Sequence, residues 1–216
     1  MKNEFVKFIL ETQALKFGEF TTKAGRLSPY FFNAGLFEDG KSLAYLADFY
    51  AQTALNCGIA FDGLFGPAYK GIVLASAVAV ALAKRGKNCG FTYNRKEAKD
   101  HGEKGLLIGA PLKGRILIVD DVISAGTSVR ESVSLIKNAG AESAGVLIAL
   151  DRCERGQGEK LATAEVLENY GIPVIFVASL LDVRNFLALD SKNAPKIAHI
   201  DAYLKQYGEI KWKKIF

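Results

Sequence analysis

Residues 116 to 128 read ILIVDDVISAGTS. Four apolar residues, of which Ile116, Ile118 and Val119 are β-branched, run directly into Asp120 and Asp121; the small and hydroxylic residues Ser124, Ala125, Gly126, Thr127 and Ser128 follow. That order predicts a buried strand, a loop and a helix start. At the carboxyl end of a parallel strand two carboxylates can reach a sugar diol, and the free backbone N–H groups that open the next helix can hold a phosphate. The stretch therefore suggests a cradle for a ribose 5-phosphate. A plainer explanation is a helix cap, with Asp121 or Ser124 satisfying free amides. The continuation SAGTS favours the phosphate, because small residues let it approach the backbone and Thr127 and Ser128 add hydroxyl donors. Charge placed here without partners would cost several kcal/mol, so the carboxylates must face a cleft or a partner. No G-K-[ST] is present, which separates the loop from a Walker A motif.

Moving outward, the same strand, turn and helix pattern recurs. Phe61 to Phe65 predict a short strand, Gly66-Pro67-Ala68-Tyr69-Lys70-Gly71 a turn, and an alanine- and valine-rich helix extends to about Arg85. Further strands are predicted over 89–93, 144–150 and 174–177, with helices over 41–57, 128–139, 159–169, 179–188 and 195–207. The fold class is α/β: a parallel-sheet core flanked by helices. An amphipathic helix over 3–15 needs a surface to cover. Phe20 to Phe32, with turn signals at Gly25 and Ser28-Pro29, reads as a hairpin or hood outside the main sheet. The segment from Asn94 to Gly114 shows no clear periodicity over about twenty residues, which predicts a functional, mobile loop rather than a compact element.

The chain has 216 residues, half of them hydrophobic, enough to bury one sizeable core. It divides into a hood (about 1–40), a core (about 41–190) and a C-terminal helical segment (about 191–216), all within one domain. A formal charge of +5, from 28 basic and 23 acidic residues, mildly favours anionic ligands, and no basic run marks a nucleic-acid arm. Cys57, Cys89 and Cys153 are far apart and odd in number, so neither a disulfide framework nor a zinc site is expected, and reduced, buried thiols are the simplest reading. The N-terminal stretch breaks its apolar pattern at Glu4, Lys7 and Glu11, and the longest apolar run, 71–83, is too short to span a bilayer. A cytoplasmic protein is expected, with no membrane or nucleic-acid partner.

VDDVISAGTS resembles the phosphoribosyl-pyrophosphate signature of the type I phosphoribosyltransferases. The resemblance extends to KFGEFTTKAGRLSPYFFNAG (16–35), FGPAYKGI (65–72), NRKEAKDHGE (94–103) and LDRCERG (150–156), all of which are similar to the bacterial orotate phosphoribosyltransferases. It implies a type I phosphoribosyltransferase fold with a small N-terminal hood and a flexible catalytic loop. The implied reaction is transfer of the 5-phosphoribosyl group to N1 of orotate, releasing pyrophosphate. The implied cofactor is Mg2+ carried by substrate and water, with no protein metal ligands. A homodimer with shared active sites is implied as well, the loop of one subunit reaching the site of its neighbour.

Carried over by position, Lys99 is the catalytic-loop lysine, with Arg95, Lys96 and His101 gripping the pyrophosphate beside it; a salt-bridged, solvated loop is the plainer explanation of this segment. Tyr69 and Lys70 also fall at the pyrophosphate. A lysine at a helix start is slightly unfavourable, and an anionic ligand would remove that cost. Asp120, Asp121, Val122, Ile123, Ser124, Ala125, Gly126, Thr127 and Ser128 hold the ribose and its 5-phosphate, and Asp121 lies close enough to assist as a carboxylate. The base side is Lys23, Phe31, Phe32, Ser124 and Arg152. From residue type alone the phenylalanine pair reads as core, and Arg152 as a salt bridge with Glu154 or Asp151. Where related bacterial enzymes often have threonine, this chain has Ser124, which keeps the hydroxyl and drops a methyl. Two alternatives stay open: a regulator of the same fold that binds nucleic acid, and an enzyme acting on a purine. The intact Lys99, His101 and double aspartate speak against the first; Lys23, the phenylalanine pair and Arg152 speak for an acidic pyrimidine.

Overall fold

The computed structural model describes residues 1–22, 24–99, 105–123 and 126–208, with backbone alone at 98 and 99. The chain opens with α1 (Lys2–Glu11), then a separate two-stranded antiparallel sheet of β1 (Leu15–Thr21) and β2 (Leu27–Phe32), then α2 (Gly40–Asn56). The main sheet is built from β3 (Gly63–Gly66), β4 (Gly90–Lys99), β5 (Gly105–Gly109), β6 (Arg115–Val119), β7 (Glu142–Asp151) and β8 (Val174–Ser179). Between them lie α3 (Lys70–Lys84), α4 (Thr127–Asn138) and α5 (Ala162–Tyr170), and α6 (Leu180–Leu187) and α7 (Ala194–Tyr207) close the chain.

Strand order is β5-β4-β3-β6-β7-β8, parallel from β4 to β8, with β5 antiparallel on the edge. From β3 the chain moves outward to β4 in one direction and resumes with β6 on the opposite side. The carboxyl ends of β3 and β6 therefore flank the point where strand order reverses, the crevice in which open α/β sheets bind ligands.

The apolar run Ile116–Val119 is a strand buried on both faces. Leu117 and Val119 join the core under α1, α2, α3, α6 and α7, whereas Ile116 and Ile118 join the core under α4 and α5. Such a strand carries no polar alternation, which is why it reads as one continuous hydrophobic run. At the end of β3 the backbone folds tightly on itself. A Cβ on Gly66 would collide with the carbonyl oxygen of Gly71, and one on Gly71 with the ring of Pro67, so glycine is required at both positions.

The segment from Asn94 to Gly114 departs from the expected irregular loop. β4 continues to Lys99 and β5 returns beside it, pairing Thr92 with Gly109, Asn94 with Leu107 and Lys99 with Gly105. This ribbon stands at the sheet edge and covers little core, so ladder hydrogen bonds order it without imposing a hydrophobic period on its charged residues. The expected residues His101 and Gly102 lie outside the described residues.

Candidate active site

Past the end of β6 the backbone of the two aspartates remains hydrogen-bonded to β7. The Asp120 N–H donates to the Leu147 carbonyl (3.0 Å), and the Asp121 carbonyl accepts from the Ala149 N–H (3.0 Å). Strand pairing thus sets where both side chains begin. Asp121, 8 % exposed, accepts from the Val122 N–H through Oδ1 (2.8 Å), and its Oδ2 lies 2.8 Å from Lys70 Nζ. Asp120 Oδ1 accepts from the Asp121 N–H (2.9 Å), and Oδ2 accepts from the Ser128 hydroxyl (2.9 Å). Burial first, and the neighbouring Asp121 carboxylate second, push the Asp120 carboxyl up to about 6.

Asp121 does not cap α4, and Ser124, the other capping candidate, lies outside the described residues. α4 begins after Gly126, which adopts the left-handed conformation (φ 69°), and among the described residues no side chain caps the helix. Both carboxylates have other bonds, so among the described residues the first N–H groups of α4 carry no side-chain acceptor. Ile123 is buried in the core and Val122 half-buried against it, so their side chains belong to the packing; Thr127 is exposed. Ser124 and Ala125 lie outside the described residues.

The β3–α3 turn supplies the facing wall. Lys70, the first residue of α3, spans from Asp121 to the Asn33 side chain (Nζ to Oδ1, 3.3 Å). Tyr69 is 68 % exposed, follows a cis peptide bond from Ala68, and carries the Lys96 ammonium 4.8 Å above its ring centroid. The Ala68 N–H donates to Asn94 Oδ1 (2.9 Å), tying the turn to β4. Arg95 Nη1 donates to the Gly105 carbonyl (3.3 Å) inside the β4–β5 ribbon. Tyr69, Lys70, Lys96, Asp120, Asp121 and Ser128 are therefore brought together at the sheet crevice. Backbone pairing puts Lys99 at the end of the ribbon, opposite Gly105.

The phenylalanine pair splits, as strand alternation demands. Phe32 is buried in the core, whereas Phe31 is 45 % exposed and stacks on Phe20 with centroids 5.5 Å apart. The core reading holds for Phe32 alone. Arg152 does pair with Glu154 (Nε to Oε1, 2.6 Å), and its guanidinium lies 4.8 Å over the Tyr30 ring. Lys23 lies outside the described residues. The three cysteines are free; Cys153 is buried and the other two half-buried, so the expectation of buried thiols holds for Cys153 only.

Sequence reasoning missed three contributors. Tyr50 Oη donates to the Asp120 carbonyl (2.8 Å) from α2, Asn94 holds the turn at Ala68, and Asn33 accepts from Lys70. Tyr50 sits inside an ordinary amphipathic helix and gives no local signal. Asn94, a polar residue opening the charged run, offered the one readable hint.

Residues 36–178 match the model of the phosphoribosyl transferase domain. The chain is 62 % identical to the orotate phosphoribosyltransferase of Laribacter hongkongensis over 207 residues, covering 96 % of this chain and 97 % of that one. The chain belongs to the orotate phosphoribosyltransferase family. Identity to the Chromobacterium violaceum family member is also 62 %, over 211 residues and 97 % of its length. The crystal structure of the orotate phosphoribosyltransferase of Francisella tularensis superimposes with a TM-score of 0.86 at 39 % identity, covering 95 % of this chain and 100 % of that one. The fold is thus the type I phosphoribosyltransferase fold. The matched domain segment holds Asp120, Asp121, Lys70 and the β4–β5 ribbon, while the hairpin bearing Phe31 and the helix α7 lie outside it.

Proposed function

We propose that this protein is an orotate phosphoribosyltransferase (EC 2.4.2.10) that transfers the 5-phosphoribosyl group of phosphoribosyl pyrophosphate to N1 of orotate. The products are orotidine 5-phosphate and pyrophosphate, within pyrimidine (UMP) biosynthesis. The observation that carries the reading is the Asp120–Asp121 pair, with Asp120 bonded to Ser128 at the start of α4 and Asp121 to Lys70 at the start of α3. The N–H groups of α4 take the 5-phosphate, and the aspartates take the 2- and 3-hydroxyls by charge-assisted hydrogen bonds. Lys70 neutralises Asp121 before the donor arrives and lies beside the leaving pyrophosphate afterwards. As the bond from C1 to pyrophosphate breaks, positive charge grows on the ribose ring, where the acidic pair stabilises it, and negative charge grows on pyrophosphate.

Lys96, Arg95, Lys99 and His101 supply donors to that departing charge. Among the described residues no group of three His, Cys, Asp or Glu converges, and Asp120 and Asp121 are the hard oxygen donors at the crevice, a set that suits Mg2+ held mainly by substrate. When bound, Mg2+ would neutralise developing charge on the pyrophosphate. Orotate N1 arrives deprotonated, so no general base is required, and Asp121 assists as a carboxylate. Phe31, Arg152, Lys23, Ser124 and the Phe32 backbone recognise the base. The working form is a homodimer with shared sites, located in the cytoplasm; among the described residues no helix is long and apolar enough to cross a membrane.

The direct test mixes the protein with orotate, phosphoribosyl pyrophosphate and magnesium and follows loss of orotate absorbance. Turnover is expected with orotate and not with hypoxanthine. Turnover of hypoxanthine or uracil with none of orotate would reverse the base assignment.

A further inference from the structure

The base-side arginine is held by a carboxylate that belongs to none of the ligand-binding assignments. Glu154 Oε1 accepts from Arg152 Nε (2.6 Å) and from Tyr203 Oη (2.6 Å), while Oε2 accepts from Arg26 Nη1 (3.1 Å). These donors come from three separate elements: the end of β7, helix α7, and the turn that precedes β2. The Tyr203 hydroxyl also lies 3.3 Å from Arg152 Nη2, and the Ser28 hydroxyl of β2 lies 3.5 Å from the same nitrogen. Beneath the guanidinium is the fully buried Tyr30 ring. Between the two charged residues Cys153 adopts φ 54°, a left-handed bend in the chain that carries them. Among the described residues Nη1 of Arg152 has no acceptor, so the contacts consume one edge of the fork and leave the other for a ligand.

We propose that Glu154 is a positioning residue for base recognition: it fixes the Arg152 fork in one orientation and fastens the β1–β2 hairpin and α7 around it, so that the remaining guanidinium edge meets an anionic, planar base. This rests on Arg152 being an orotate-binding residue. One carboxylate between two guanidiniums does two things here. It removes the repulsion that would otherwise drive Arg26 and Arg152 apart, and it leaves the cluster net positive, which suits the carboxylate of an acidic pyrimidine. The hairpin that carries Phe31 is anchored to the core by the same carboxylate, through Arg26, whose guanidinium also donates to the carbonyls of Arg155 (2.8 Å) and Gly156 (3.2 Å). Base stacking and base-edge recognition thus share one tether.

The test compares the full-length protein with Glu154→Gln, which keeps the volume and removes the charge. KM for orotate should rise about 10- to 100-fold, the loss expected when a charge-assisted hydrogen bond no longer sets the arginine. KM for phosphoribosyl pyrophosphate should stay within about twofold, since the donor side shares none of these contacts. Tyr203→Phe retains the ion pair, guards against a Glu154 variant that does not fold, and should raise KM for orotate by about three- to tenfold, as for loss of one neutral donor. Orotate binding by calorimetry should follow the same order. A KM for orotate unchanged in both variants, or a parallel rise in both KM values, overturns the proposal. Arg152→Lys separates the two layers: if it weakens orotate while Glu154→Gln and Tyr203→Phe do not, only the positioning role falls. If Arg152→Lys leaves orotate unaffected, the assignment of Arg152 falls and the inference falls with it.

Discussion

Asp120 illustrates how one residue's surroundings set its chemistry. Its carboxyl is raised to about 6 from an ordinary 3.8, by burial and then by Asp121, against the opposing hydrogen bonds from Asp121 N–H and Ser128. Because the folded value exceeds the unfolded one, the native state holds the proton more tightly, and this group's contribution to stability declines as pH rises from about 4 to about 6. The role proposed for Asp120 needs the ionised form, so kcat/KM for phosphoribosyl pyrophosphate should fall as pH drops below about 6, the free-enzyme value. Ser128→Ala removes a bond that favours ionisation and should move that limb to higher pH. A limb that stays in place on this substitution would remove Asp120 as its origin. Asp120→Asn should cut kcat/KM by about 100-fold, from the charged hydrogen bonds lost to the ribose, without lowering Tm at pH 8. Nearby, burial and Asp151 push the Cys153 thiol up to about 12. It should therefore resist alkylation at pH 8 in the folded protein and react on unfolding; labelling of native Cys153, read by mass spectrometry, would contradict this. The sequence alone could name Asp120 and Cys153 but could not assign either state, because both depend on residues brought in from other elements.

At the scale of elements, the β3–α3 turn and the β4–β5 ribbon work as a pair. Asn94 in β4 binds the Ala68 N–H of the turn, and Lys96 lies over Tyr69, so the position of the turn depends on the ribbon. Asn94→Ala should raise KM for phosphoribosyl pyrophosphate by up to about tenfold, the range for one lost hydrogen bond to a positioned backbone group, with KM for orotate little changed. Equal effects on both substrates would place Asn94 in general stability instead. The glycine turn of β3 was legible, since Gly66 and Gly71 mark a close backbone approach. The ribbon was not: Arg95-Lys96-Glu97 has neither a helical nor an alternating period, because edge pairing organises it and core burial does not. The phenylalanine pair shows the same limit. Adjacent identical residues look alike in sequence, yet β2 turns Phe32 inward and Phe31 outward.

For the molecule as a whole, the reversal of strand order between β3 and β6 is the organising fact, since it opens a crevice at the strand ends that carry Lys70 and Asp121. The proposed dimer belongs to this scale. Mixing inactive Lys99→Ala with an inactive Asp121→Ala protein, under conditions that exchange subunits, should restore part of the activity, because some mixed dimers hold one intact site. No recovery after confirmed exchange would place the ribbon lysine in its own subunit's site.

Sequence by itself determined the parallel α/β core and the strand–acid pair–helix order of residues 116 to 128, because a strand buried on both faces, a pair of acids and a small-residue helix start are contiguous and their physics is local. Only the tertiary structure decided that Lys70 pairs with Asp121 across 51 residues, that Tyr50 binds the Asp120 carbonyl across 70, and that Glu154 gathers Arg26 and Tyr203 onto Arg152. Those contacts join residues far apart in the chain whose types allow many partners, and only packing around a single sheet selects among them.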